Sequence, residues 1–168
     1  VCGQDLSSSA RMCEGLTVRG PKASAKLSFL TIRGGHKDLG GGLYVTAGAQ
    51  LRANDCTFAG NHAGKNGGGL YVNGLRNQPA QVLLERVRFV QNHAGSEGGG
   101  ANFNGYVQAR LSECGFEKND AGSFGGGLVT IGFEVARTRV ELSKCAFNLN
   151  KARWGGALQV GKSAELVA

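Results

Sequence analysis

A chain of 168 residues is one domain by length, and its 29 glycines stand against only 2 prolines with no strict three-residue period, which excludes a collagen-like rod. Its hydrophobic share of 41% contains no apolar run near the ~18 residues that a transmembrane helix needs. Nineteen basic against twelve acidic side chains leave a charge of +7, which favours anionic polysaccharide, a membrane surface or an acidic protein as partner; nucleic acid is not expected, because the basic residues are not interleaved with stacking aromatics.

Residues 1–24, rich in Ser, Lys and Arg and holding Pro21, read as an N-terminal segment able to cap the first repeat. Val1 in place of Met reads as the start of a mature or trimmed product. Cys2 and Cys13 lie outside any repeat and can close a small loop in an oxidising compartment.

From residue 25 to 168 the chain is self-similar. Gly40, Gly67, Gly98, Gly125 and Gly155 each open a glycine run followed by an apolar stretch, at separations of 27, 31, 27 and 30 residues. Periods of this size mean stacked coils, in which each repeat buries its apolar face against its neighbours. Eight or nine residues before each run stands Ile32, Phe58, Phe89, Phe116 or Phe147. Two positions before these lies an apolar column of Leu30, Cys56, Val87, Cys114 and Cys145. Further apolar columns contain Leu27, Ala53, Leu84, Leu111 and Leu142, and Ala25, Leu51, Val82, Ala109 and Val140.

The residues between these columns are polar or variable, the period-2 alternation of half-buried strands. Alternation breaks at Asn54 and Asp55, at Glu85 and Arg86, and at their equivalents, which marks a corner. After the glycines, Leu43 and Val45, Leu70 and Val72 again point inward, with Tyr44, Tyr71, Asn102, Val129 and Gln159 facing out. The expectation is an all-β, single-domain, right-handed parallel β-helix of about five to six coils, with three strands and three corners per coil. Asn61, Asn92, Asn119 and Asn150, three residues after each Phe, suit a left-handed corner conformation or an inward amide ladder joining successive coils.

The pairing of Phe58 and Asn61 in a Phe-x-x-Asn motif with the run from Gly67 to Leu70 resembles the β-helix repeats of polymorphic outer membrane proteins. The resemblance covers residues 25 to about 160. It implies a right-handed β-helical passenger displayed at a cell surface, often adhesive, with a membrane β-barrel after it.

Several features bear on function directly. His36, His62 and His93 share one column with Asp120 and Lys151, and imidazole with carboxylate is an ordinary zinc-ligand set, but a duplicated Asn-His-Ala-Gly turn explains the column and no metal or cofactor is expected. Cys56, Cys114 and Cys145 read as small buried hydrophobes. Asp5, Asp38, Asp55 and Asp120 scatter over different corners, so no paired-carboxylate site emerges and catalysis is not expected.

Lys26, Arg52 and Arg110 form a basic outward stripe, interrupted by Leu83 and ended by Glu141. Alternate coils carry four extra residues, between Val72 and Val82 and between Thr130 and Val140, which brings the apolar Leu75, Pro79, Ile131 and Phe133 onto one side. Phe124 and Trp154 fall out of the core pattern just before their glycines and suggest a contact patch. After Val160 too few residues remain to cap the last coil, so the expectation is either that the chain is a fragment or that a partner packs on that end. These features together predict a non-enzymatic structural or adhesive module, secreted or at a cell surface, that binds a protein or anionic partner through inserted loops and open end. Two alternatives are an accessory scaffold subunit of a larger complex, in an organelle lumen or peripheral to a membrane, and a fragment of a carbohydrate-active β-helix enzyme.

Overall fold

The computed structural model describes residues 2–4, 11–13, 15–133 and 138–168. Ahead of the regular coils come β1 (Cys2–Gln4), β2 (Arg11–Cys13) and β3 (Leu16–Arg19). The first coil holds β4 (Ser24–Ser28), β5 (Leu30–Arg33), β6 (His36–Leu39) and β7 (Leu43–Thr46). The second holds β8 (Gln50–Asn54), β9 (Thr57–Ala59), β10 (His62–Asn66) and β11 (Leu70–Gly74). The third holds β12 (Ala80–Glu85), β13 (Arg88–Val90), β14 (His93–Ala94) and β15 (Ala101–Gly105). The fourth holds β16 (Val107–Ser112), β17 (Gly115–Glu117), β18 (Asp120–Ala121) and β19 (Leu128–Ile131). The fifth holds β20 (Thr138–Ser143), β21 (Ala146–Asn148) and β22 (Leu158–Val160), and β23 (Ala164–Val167) begins the next turn.

These strands stack into four sheets, each named for a residue type that recurs along it. The Gln face is β4-β8-β12-β16-β20-β23 and the Phe face is β1-β2-β5-β9-β13-β17-β21. The His face is β6-β10-β14-β18 and the Tyr face is β3-β7-β11-β15-β19-β22. Apart from the antiparallel β1–β2 pair, the named strands pair in parallel, so the described residues form an all-β parallel solenoid of about five coils. The β1–β2 hairpin adds to the first edge of the Phe face, and its backbone register sets Cys2 opposite Cys13.

Each coil therefore has four sides, where alternation in the sequence suggested three. The additional His face escaped detection because its strands are short and one-sided: β14 and β18 are two residues each, and only Ala63, Ala94 and Ala121 turn inward. An Asn-His-Ala-Gly stretch has too few alternations to distinguish a strand from a turn.

Inside, like residues stack on like. Phe58, Phe89, Phe116 and Phe147 form a continuous column of near-parallel rings with centroids 5.0, 4.8 and 4.7 Å apart. Burying each ring contributes on the order of 2 kcal/mol. Beside them, Leu51, Leu84 and Leu111, with Val82, Val87 and Val140, fill the interior. Cys56 and Cys114 are buried and Cys145 is half-buried, all as free thiols. Burial pushes the Cys56 thiol up, and contact with Cys145 together with burial does the same for Cys114, so both remain protonated small hydrophobes.

The asparagine column closes one corner. Asn92 Nδ2 donates to the Phe58 carbonyl at 2.9 Å and to Asn119 Oδ1 at 3.0 Å, while the backbone N–H of Asn92 donates to the same Oδ1. Asn61 and Asn119 repeat the pattern toward Asn92 and Asn150. None of these asparagines takes a left-handed conformation. The residue before each does instead, with φ of 60° at Gly60 and 53° at Gln91, Lys118 and Leu149, which turns the amide inward.

The glycine runs are corners for two separate reasons. Gly98 has φ of 65°, a conformation that costs an L-residue about 1 kcal/mol or more. At Gly99 a Cβ would lie 2.4 Å from the Asp120 carbonyl oxygen of the adjoining coil, so the coils can approach only without a side chain. Gly100 likewise leaves room for the Phe116 ring.

Candidate functional site

The solenoid holds its outward side chains in straight columns, and three of these columns differ from an ordinary solvated surface. At the corner between the His and Tyr faces, single bridges align Asn66, Glu97, Phe124 and Trp154. Phe124 and Trp154 stack with centroids 5.0 Å apart, and the Arg153 guanidinium carbon lies 4.5 Å from the Trp154 ring centroid. Trp154 is 48% exposed. The stack exists because two adjoining coils place an aromatic where two earlier ones place Asn66 and Glu97.

At the opposite end of the Tyr-face strands the inserted segments emerge. In the first, Leu75 and Gln78 exchange two backbone hydrogen bonds around Arg76 and Asn77, a tight turn that leaves Leu75 exposed. In the second, Phe133 is exposed and Ile131 half-buried, while residues 134–137 lie outside the described residues. Leu75, Ile131 and Phe133 thus share one edge of the Tyr face, and Phe124 and Trp154 share the other. The two groups sit apart, joined in one coil by β19.

Between these edges the outward Tyr-face column is more enclosed than its alternation suggested. Tyr71, Asn102 and Val129 are buried, although they point away from the core. The corner folds over them: Asn102 Nδ2 donates to Glu97 Oε2 at 3.2 Å, and the Tyr71 hydroxyl accepts from Asn104 Nδ2 at 2.9 Å. Tyr44, at the first coil, stays half-exposed and packs on Tyr71 with centroids 5.4 Å apart.

The Gln face carries the basic stripe. Register aligns Lys26, Arg52, Leu83, Arg110 and Glu141 in one outward column. Arg110 Nε donates to Glu141 Oε2 at 2.7 Å, so the stripe is neutralised at that rung, whereas Lys26 and Arg52 have no ionic partner among the described residues. A neighbouring column of Gln50, Gln81, Gln108 and Arg139 was not singled out from sequence. Its signal was a recurrence eight residues before each Phe. A groove of about 520 Å³ runs over both columns.

On the His face, His36, His62 and His93 stack with centroids 4.5 and 4.8 Å apart, and His93 Nδ1 lies 3.0 Å from Asp120 Oδ2. Rings so nearly parallel, at 8° and 17°, direct their nitrogen lone pairs alongside one another and not toward a common point. Among the described residues no cluster of three or more such side chains has the arrangement to hold a metal ion. Burial, with repulsion from His93 and His36, makes His62 harder to protonate than an ordinary histidine.

Carboxylates are held by cations. Arg86 forms paired hydrogen bonds to Asp55 at 2.7 and 2.9 Å and also contacts Glu85. Arg110 and Arg139 both engage Glu141. Asp55 and Glu141 are consequently pulled below the usual carboxylate range, opposite to what a general acid requires.

Residues 55–73 match the repeat of the Chlamydia polymorphic membrane protein family. The match begins at the corner held by Asp55 and Arg86 and spans the Phe face, the His face, a glycine corner and the Tyr-face strand of one coil. Over that segment the chain is similar to a polymorphic membrane protein repeat, set here within a parallel β-helix. No curated protein and no solved structure gives a significant match. In the polymorphic membrane protein-like repeat, Phe58 and Asn61 build the core and ladder, and the run from Gly67 builds the corner. The motif residues are thus scaffold, and the side chains that vary between coils are those presented outward.

Proposed function

We propose that this chain is a non-enzymatic interaction module displayed at a cell surface, and that it binds a protein partner lying across the Tyr face. The observation that carries the reading is the stacked Phe124–Trp154 pair, with Arg153 on Trp154, left half-exposed on a rigid corner. Trp and Arg are the residues that most often dominate protein interfaces, because they bury much area with little loss of flexibility when already fixed. Apolar Ile131 and Phe133 flank the far end of β19, whose four residues span about 10 Å at the ordinary strand rise. A partner seated on both edges would lie over the enclosed Tyr-face column between them.

Surface display is supported by the matched repeat, whose family is described as membrane protein. The cationic grip on Asp55, at the corner between the Gln and Phe faces, and on Glu141 of the Gln face favours binding over hydrolysis at those positions. The test is attachment of beads coated with the purified chain to cultured cells. Trp154→Ala is expected to lower attachment roughly tenfold with no change in the far-ultraviolet spectrum. Protease treatment of the cells is expected to abolish attachment. Attachment unchanged by Trp154→Ala, or resistant to protease, overturns the reading.

A further inference from the structure

The Gln face offers a second site, on a different side of the solenoid from the Tyr face. Its groove crosses four coils, and the outward residues on its floor are arranged by rung. Gln50, Gln81 and Gln108 lie in strict register, exposed, and no hydrogen bond occupies their side-chain amides among the described residues. Each amide offers two donors and an acceptor. Beside them Arg52 and Arg110 flank Leu83, which is 41% exposed. The groove lining holds three guanidinium groups, of Arg52, Arg110 and Arg139, and one carboxylate, of Glu141. Arg52 has no ionic partner among the described residues, and Lys26 extends the positive column by one more coil.

This arrangement is periodic along the coil axis at about 4.8 Å. That spacing is close to the length of one sugar ring, so a linear glycan laid along the axis meets the same amide at each successive ring. An acidic peptide can satisfy the arginines, but it has no ring hydroxyls for the amide column and no flat C–H face for Leu83. We propose that the Gln-face groove binds a linear anionic polysaccharide lying parallel to the coil axis. The amides of Gln50, Gln81 and Gln108 bond ring hydroxyls, Leu83 packs under the C–H face of a sugar, and Arg52 takes a carboxylate or sulfate. Arg110 and Arg139 remain tied to Glu141 and frame the site.

The experiment titrates fluorescently labelled oligosaccharides of defined length into the purified chain and follows anisotropy. One arm uses oligogalacturonate, which carries carboxylates, and the other uses heparin-derived oligosaccharide, which carries sulfates. Uncharged dextran and polyglutamate serve as comparisons. Binding in either charged arm is expected, tightening with length up to roughly five sugars, the number of rungs available, and then levelling. The tighter arm identifies the acid.

Arg52→Ala is expected to weaken binding roughly tenfold, as loss of a charge-assisted contact does, and the paired Gln81→Ala and Gln108→Ala substitution by roughly threefold. Arg33→Ala removes an exposed charge from the Phe face and is expected to change nothing, as is Trp154→Ala on the Tyr face. The proposal is overturned if neither charged arm binds, if dextran binds as well, if polyglutamate binds as tightly, or if Arg33→Ala weakens binding as much as Arg52→Ala. Because Trp154→Ala leaves this site intact, failure here is distinguishable from failure of the protein-binding reading.

Discussion

Each asparagine of the corner column does the work of several ordinary residues, because it satisfies backbone groups of two coils at once. Removing the Asn92 amide strands the Phe58 carbonyl and takes the acceptor from the Asn61 N–H, both in buried surroundings. Asn92→Ala is therefore expected to lower unfolding free energy by about 2 kcal/mol or more, measured by urea denaturation. Asn150→Ala, at a half-buried rung, should cost less. The glycines separate equally cleanly. Gly99→Ala forces a Cβ into a carbonyl oxygen and should severely destabilise the chain, whereas Gly115 has no heavy atom within 4 Å of a built Cβ and no left-handed strain. Gly115→Ala is expected to fold with unchanged or slightly higher thermal midpoint. Equal effects of the two alanines would contradict the packing described for the glycine corner.

At the scale of an element, the His face couples stability to pH. His62 has its pKa lowered from 6.5 by burial first, and then by His93 and His36 stacked on either side. Lys37, Lys65 and Lys151 add positive charge to the same face, and Asp38 and Asp120 add negative charge. The unfolded chain takes up the proton more readily than the folded one, so the stability due to the neutral column is fully present above about pH 6.5 and falls as pH drops below it. Urea midpoints measured from pH 7.5 to 5 should fall for the native chain and fall less steeply for His62→Asn. A parallel decline in both would assign the pH dependence to other groups.

This face also shows where sequence reading stops. Columns of Phe, Asn and Gly were legible because a residue that stacks on its own copy must recur in register. The His-face strands were missed because β14 and β18 have two residues each and the longer β6 and β10 bury only Ala63 between them, too little to display a period. The burial of Tyr71, Asn102 and Val129 was invisible for another reason: Glu97 reaches across a corner to Asn102 and Asn104 reaches to Tyr71, and period-2 patterning reports direction, not enclosure. Likewise the Gln50, Gln81 and Gln108 column carries no apolar signal, so it surfaced only once β8, β12 and β16 were set side by side.

For the whole molecule, stacking separates construction from recognition. From the second coil to the fifth the interior repeats Phe on Phe and Asn on Asn, so stability accumulates from neighbour contacts and the outward columns are free to differ. Trp154 and Phe133 exploit that freedom at opposite edges of the Tyr face, where the proposed partner engages both. The most direct measurement is bead attachment to cultured cells by the native chain, by Trp154→Ala, by Phe133→Ala and by the double variant. Each single substitution is predicted to weaken attachment, and the double variant to attach no better than uncoated beads. Native-level attachment by a folded double variant would contradict a partner seated across the Tyr face.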